Sequence, residues 1–308
     1  MKSITISQAL VGFDLAIRAR RLSEHTHLDY FSTFRKFQAW LEDDRYIRDI
    51  KPDDIRHFLD SHEGISNKTL LNYYVGLSAL WSWAIQEGYV STHVVRAVTP
   101  PKPEKRVITP FSDNDIRALL AALGTCQTYR RGASTGLHHS LPNPERNEAI
   151  IFLLLDTGIR VSELCTLSMR MLDLRNRGIQ VMGKGDKERY IPFSARTGKS
   201  LFRYLTVRDQ DPPYPNVFLS KDASPLNRTD VLHMLYALGK RAGVESCHPH
   251  RFRHTFAVNY LRNGGDPYTL QIILGHSSMD MVQTYLRLSK IDFDTKHRLA
   301  SPVENMHL

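Results

Sequence analysis

The sequence is poor in cysteine: Cys126, Cys165 and Cys247 are the only three among 308 residues. An odd number, far apart and without a CxxC pair, provides neither a disulfide framework nor a zinc or redox motif. Such usage fits a reducing, cytosolic setting. Long apolar runs are also missing. No stretch of about 18 apolar residues occurs, and the opening MKSITISQALVGFDLAIRAR lacks an apolar core ending in small residues. The expectation is a chain that is neither exported nor membrane-spanning. Strand signals are scarce as well. Only GIQVMGKGDKERYIPF, residues 178–193, reads as two β-type runs joined at Gly-Lys-Gly-Asp, a hairpin with Lys184 at its tip. This is not a phosphate-binding P-loop, because GKGDK lacks the GxxxxGK[ST] spacing and leads into a strand rather than a helix. There is no internal repeat and no low-complexity tract.

What the chain does have is size, a globular composition and positive charge. Its 308 residues suffice for two domains that each bury a core, and 42% hydrophobic with 24% charged residues is a soluble composition. The formal net charge is +9 and the pI about 9.4, which favours a polyanionic partner. The first hundred residues carry 12 basic and 12 acidic side chains, so the whole excess arises after residue 100.

The first hundred residues read as helices only. SEHTHLDYFSTFRKFQAWLEDD places Leu28, Phe31, Phe34, Phe37 and Leu41 three and four apart behind the N-cap candidate Ser23. KPDDIRHFLDSH starts at Pro52 and puts Ile55, Phe58 and Leu59 on one face. SNKTLLNYYVGLSALWSWAIQEG carries a stripe of Leu70, Tyr74, Leu77, Trp81, Ala84 and Ile85, with Gly88 as its stop. Trp81 and the Tyr73/Tyr74 pair are expected in the core. Arg35, Lys36, Asn67 and Lys68 lie on other faces, where they can meet a phosphate backbone.

TPPKPEKRVITP, residues 99–110, has four prolines and four charges and cannot continue a helix. The domains expected are therefore 1–100 and 111–308, with 101–110 as linker. Beyond it, SDNDIRALLAAL opens on a Ser112/Asp115 capping pair. Gly124 to Arg146, rich in Gly, Ser, His and Pro, reads as an inserted surface loop with solvated His138 and His139. NEAIIFLLLDTGIRVSELCTL is a buried helix, a break at Gly158 and a second helix. Four helical segments follow the hairpin, so the architecture expected is mainly α with one small sheet.

The most unusual stretch is HPHRFRHTFAVNYL, residues 248–261, where three histidines and two arginines fall within seven positions. A metal site is the poorer explanation, since HRFRH lacks the glutamate of HExxH and its arginines would repel a cation. Phosphate handling gains from residues elsewhere. Arg160 follows the glycine break, with Glu163 one turn on to orient it. His250 and Arg253 stand at i and i+3 of one helix face. His276 follows Gly275, and Tyr285 comes nine residues later, in a helix that Ser278 can cap. Two guanidiniums give bidentate donors to one phosphate and can clamp a pentacoordinate transition state.

TGIRVSEL, GKGDKERYIPF, HPHRFRHTFA and LGHSSMDMVQTY, in this order, resemble the tyrosine site-specific recombinases, the phage-integrase and Xer-like family of DNA breaking and rejoining enzymes. The likeness covers most of the chain. It implies an N-terminal helical, SAM-like core-binding domain and a mostly α catalytic domain with a small β-hairpin sheet. By position, the family's arginines match Arg160 and Arg253, its lysine Lys184, its histidines His250 and His276, and its nucleophile Tyr285; Glu163 falls at its supporting acidic position. Lys187, Arg189 and Arg251 are the further DNA contacts expected in this part.

A phenol has a pKa of about 10, so Tyr285 needs a base or a positive field to attack phosphorus near neutral pH. The leaving 5′-oxygen needs a proton, which the resemblance assigns to Lys184. His250 is assigned proton shuttling and phosphate bonding, and His276 and the arginines hold the non-bridging oxygens. The product is a 3′-phosphotyrosyl link that conserves bond energy, so no cofactor is expected, neither ATP nor metal. Double-stranded DNA is the implied partner, without a membrane, through a homotetramer on two sites, alone or with a related recombinase, passing a Holliday junction. The last 23 residues would dock on a neighbouring subunit or fold back on their own. His254 reads as structural or supporting rather than catalytic. A prokaryotic, nucleoid-associated protein of a mobile element or of DNA resolution is the setting implied. Two alternatives stay open: a type IB topoisomerase-like enzyme that relaxes DNA without partner exchange, and a non-catalytic DNA-binding accessory factor.

Overall fold

The computed structural model describes residues 3–104, 109–124, 127–131, 134–139, 143–183, 188–208, 213–276 and 278–289, with positions 297, 301 and 303. The chain divides into two compact units, Met1–Val107 and Ile108–Leu308.

The first unit is helical among its described residues. Four helices make it: α1 (Ile6–Ala19), α2 (Glu24–Leu41), α3 (Pro52–Asp60) and α4 (Asn67–Gln86). Ser23 and Ser66 cap α2 and α4 by accepting the amides of Thr26 and Thr69, and Pro52 opens α3. Phe34, Phe37, Phe58, Leu77 and Trp81 are buried together, and each such side chain contributes about 1.5–3 kcal/mol by leaving water. Tyr73 is buried with them, as expected, whereas Leu28 and Ile85 of the expected stripes are exposed. α1 is an addition to the sequence reading. Its Ile6, Ala9, Leu10, Phe13 and Ile17 face the core, and Thr5 with Gln8 forms its capping box.

The second unit wraps helices around two that are buried on nearly all sides. Its elements are α5 (Asp113–Gly124), β1 (Gln127–Arg131), β2 (Ser134–His139), α6 (Pro144–Thr157), α7 (Val161–Thr166), β3 (Leu172–Asp173), β4 (Gly178–Met182), β5 (Glu188–Pro192), α8 (Ala195–Val207), α9 (Arg228–Ala242), α10 (Pro249–Arg262), α11 (Pro267–Leu274) and α12 (Asp280–Ser289). α6 buries Ala149, Ile150, Ile151, Leu153 and Leu154 completely, and it packs on α8 and α10. α10 packs in turn on α11 and α12. Ser112 and Asp115 exchange the expected capping bonds at α5.

Two expectations about this unit need correcting. Gly124 to Arg146 is not simply a loop: β1 and β2 pair antiparallel within it, and α6 already begins at Pro144. QTYRR and STGLHH show no apolar alternation, the signal from which strands are read, so this main-chain pairing leaves no mark in the sequence. Arg146 is buried inside α6 and donates to the Leu219 carbonyl and to Asn147. The sheet around 178–193 also has a third strand, in the antiparallel order β3-β4-β5. Ile179 opposes Ile191 and Val181 opposes Arg189, all on one face by strand alternation. The hairpin tip, with Lys184 and Lys187, lies outside the described residues. No helix of the described residues is long and apolar enough to cross a membrane.

Candidate active site

The site is assembled at the end of α11. That helix stops at Gly275, whose φ of +61° is the left-handed conformation that glycine adopts most easily. A helix end leaves carbonyls unpaired and carries partial negative charge. Here three arginines from three other elements meet three consecutive carbonyls. Arg189 Nε donates to Ile273 O (2.8 Å), Arg253 Nη2 to Leu274 O (2.6 Å) and Arg160 Nη2 to Gly275 O (3.0 Å). One backbone turn thus fixes the spacing of three positive charges.

Arg160 is the N-cap residue of α7, and Glu163 sits one turn into that helix. Glu163 accepts the Arg160 amide at 2.8 Å and its Nη1 at 2.9 Å. It also accepts both terminal nitrogens of Arg189, at 3.1 and 2.8 Å. Burial alone would raise the Glu163 pKa, but the hydrogen bonds from Arg189 and the Arg160 amide outweigh it and hold the carboxyl below its ordinary value. Glu163 therefore joins the two guanidiniums as a carboxylate.

Arg253 is buried, and its second bond runs from Nη1 to Gly158 O at 2.7 Å. Burial, and then the neighbouring Arg160, push its pKa down to about 10, which leaves it cationic near neutral pH. His276 follows the three carbonyls directly. Its Nδ1 is buried with no hydrogen-bond partner, and burial with the charges of Arg253, Arg160 and Arg189 lowers its pKa to about 4. Its ring stacks on that of Tyr285, centroids 6.3 Å apart.

Tyr285 is 1% exposed, on the face of α12 turned to α10. Its hydroxyl lies 2.8 Å from His254 Nδ1. Burial raises the phenol pKa, and Arg253 opposes that rise. Burial, followed by His250, His248 and Arg253, lowers His254 to about 4. His250 itself is exposed, and its pKa is lowered by partial desolvation and by Arg253, Arg228 and Arg160. It borders a groove of about 860 Å³ lined by Ser162, Thr166, Arg228, Thr229 and Pro249.

Arg160, Glu163, Arg253, His276 and Tyr285 are thus drawn around one helix end, with His250 on the open side. Two residues expected to contact DNA have partners within the protein. The Arg189 side chain is 9% exposed, and its donors go to Glu163 and Ile273 O. The signal was in the sequence: Arg189 shares a strand face with core residue Ile191. Arg251 is folded onto the Thr109, Pro110 and Glu245 carbonyls and Asp115, with its guanidinium 4.1 Å from the Phe111 ring centroid. Its role there is to tie the start of the unit to α10. Arg35, Lys36, Asn67 and Lys68 are exposed on α2 and the first turn of α4; Lys36 bonds the Tyr73 hydroxyl and Asn67 the Lys102 carbonyl. What the sequence reading did not give is the contact of His254 with Tyr285, which spans 31 positions and has no local sign.

An electropositive pocket holding a phenol beside histidines is a place where a phosphodiester can be bound and attacked. Residues 110–291 match the phage integrase family, and residues 11–88 match the phage integrase N-terminal SAM-like domain. The chain belongs to the phage integrase family. It is 30% identical over 282 residues to the tyrosine recombinase XerC of Bacillus licheniformis, covering 88% of both chains. It is 32% identical over 280 residues to that of Staphylococcus carnosus, again covering 88% of both. It shares its fold with the Tn1549 transposon integrase solved with a circular intermediate DNA, at 22% identity and TM-score 0.75 over 97% of this chain and 99% of that one. A lambda integrase dimer bound to a COC′ core site matches at 20% identity and TM-score 0.74, over 94% and 80% of the two chains. This phage integrase family member therefore has, in one chain, the mostly helical fold and SAM-like N-terminal domain that its motifs implied.

Proposed function

We propose that this family member is a site-specific DNA recombinase, an enzyme that cuts and rejoins double-stranded DNA through a 3′-phosphotyrosyl intermediate. The observation that carries the reading is the convergence of Arg160, Arg253 and His276 on the end of α11, with Tyr285 packed against His276. In this reading the two guanidiniums and His276 hold the non-bridging oxygens of the scissile phosphate. Tyr285 Oη attacks phosphorus, the bond to the 5′-oxygen breaks, and Lys184 gives that oxygen its proton. His250, on the open side, bonds the phosphate. Attack by a partner strand's 5′-hydroxyl reverses the step and releases Tyr285. Exchange between two duplexes calls for a homotetramer and a Holliday junction, and Arg35, Lys36, Asn67 and Lys68 of the first unit would contact the DNA backbone. We assign the activity to integration, excision or resolution of DNA elements in a bacterial cytoplasm; the relatives are bacterial tyrosine recombinases and a transposon integrase by name.

The test is a pool of duplexes with randomised arms, each nicked just 3′ of the cleavable position so that the freed 5′ fragment is lost and the covalent complex accumulates. The wild type should yield an adduct that survives denaturation and protease digestion to a peptide containing Tyr285. Tyr285→Phe should yield none. An adduct of equal yield with Tyr285→Phe would overturn the assignment of the nucleophile. Relaxation of supercoiled plasmid lacking the recovered sequence would favour the topoisomerase-like alternative.

A further inference from the structure

We propose that His254 is the base that takes the phenolic proton of Tyr285 when the tyrosine attacks DNA. The inference rests on the reading of Tyr285 as nucleophile and adds the destination of its proton. His254 Nδ1 and Tyr285 Oη are 2.8 Å apart, within the range a proton-transfer pair requires. With the ring proton on Nε2, Nδ1 is the acceptor and the phenol the donor. The other histidine beside Tyr285, His276, presents a stacked ring at 6.3 Å between centroids rather than a bond to the hydroxyl. The contact is built into the fold, since α10 carries His254, α12 carries Tyr285, and these two helices pack on each other.

The surroundings keep this base ready. Burial has the largest effect on His254, followed by His250, the N-cap residue His248 and Arg253. Its pKa of about 4 leaves it unprotonated near neutral pH. So weak a base would not deprotonate a resting phenol of pKa about 10. It does not need to. As the bond from Oη to phosphorus forms, that oxygen gives up electron density and its proton becomes strongly acidic, so a weak but aligned acceptor suffices. The electron pair of the old O–H bond stays on Oη, the proton passes to His254 Nδ1, and the pair of the breaking P–O5′ bond leaves with the 5′-oxygen, which Lys184 protonates. In the reverse step the His254 imidazolium returns its proton to the departing phenolate. The incoming phosphate is an anion that offsets the field of Arg253, so His254 becomes a stronger base when DNA is bound.

The experiment uses the full chain and the same nicked pool, measuring the single-turnover rate of adduct formation across pH. His254→Asn can place an amide oxygen near the former Nδ1, accepting the hydrogen bond without taking a proton. His254→Leu can do neither. Both variants are expected to retain the pool on filters as the wild type does, yet to form adduct at least about 100-fold more slowly near neutral pH. Both should recover about tenfold per pH unit towards the phenol's own pKa, where the tyrosine ionises without help. Recovery in the same preparation also shows that the variants are folded. If His254→Asn matches the wild type while His254→Leu is slow at every pH, His254 only positions the tyrosine and the proposal falls. It falls too if both variants match the wild type. If the wild type forms no adduct, the recombinase reading itself has failed, a result distinct from either of these.

Discussion

Arg189 and Glu163 stand 26 residues apart in the chain and face each other through two parallel bonds, Nη1 to Oε1 at 3.1 Å and Nη2 to Oε2 at 2.8 Å. The two side chains are only 9% and 7% exposed, and Glu163 passes the constraint on to Arg160. The fork geometry requires arginine, because a lysine offers one point charge in place of two aligned donors. Removing one partner leaves a buried charge half compensated, at about 3–5 kcal/mol. Arg189→Ala should therefore lower the melting temperature of the second unit by on the order of 10 °C, and Arg189→Lys should recover only part of it. Differential scanning calorimetry of the three proteins decides this, and an alanine variant as stable as the wild type would contradict it.

Gly158 and Gly243 separate two costs that are usually confounded. Both have positive φ, +59° and +67°, so a Cβ at either one is strained by about 1–2 kcal/mol. At Gly243 the added carbon meets nothing within 4 Å, whereas at Gly158 it would lie 2.3 Å from Phe256 Cδ1. Gly158 also supplies the carbonyl that holds Arg253. Gly243→Ala should lose stability alone, by about that strain. Gly158→Ala should lose about 1–3 kcal/mol more through overpacking, and adduct formation with it. Urea midpoints and single-turnover rates measured side by side test the difference, and equal losses at the two sites would refute it.

Where local rules suffice, the sequence was readable. Ser23 and the Ser112/Asp115 pair cap the helices their spacing indicated, and Gly158 breaks the chain between α6 and α7. α1 was hidden for a physical reason. Val11 and Leu15 are apolar but 65% and 66% exposed, so its apolar residues run round the helix and blur the stripe. In the site, Arg160 and Glu163 are one turn apart and legible together. The internal partners of Arg189 and Arg251 were illegible because the carbonyls that hold them come from distant segments: Ile273 for Arg189, Thr109 for Arg251. The contact between His254 and Tyr285 was illegible for the same reason, since only folding brings the two together.

The same two histidines make stability depend on pH in a definite direction. His254 and His276 both have folded values of about 4, below the ordinary 6.5. Between those values the unfolded chain binds protons that the folded chain refuses, so unfolding takes up protons and acid favours it. Their contribution is fully present above pH 6.5 or so and is lost progressively as pH falls towards about 4. Glu163, with its value held down, adds to the loss below its ordinary 4.5. Urea midpoints should therefore fall steadily through this window. Replacing His254 and His276 together with Asn should flatten the slope above about pH 5. An unchanged slope would mean that other groups carry it.

The role assigned to Lys184 is open to a chemical test. An alkoxide leaving group, whose conjugate acid has a pKa of roughly 16 like water, depends on a proton donor as the bond to phosphorus breaks. A thiolate, with a thiol pKa near 8.5, leaves without one. Lys184→Ala should slow adduct formation by about 10²–10⁴-fold on an ordinary duplex. On the same duplex with sulfur in place of the bridging 5′-oxygen it should react nearly as fast as the wild type. Arg160→Ala gives the contrast, because a clamp on non-bridging oxygens is needed whichever atom leaves, so sulfur should not restore it. If sulfur restores both variants equally, or neither, then Lys184 does not deliver the proton and its distinction from the arginine clamp is lost.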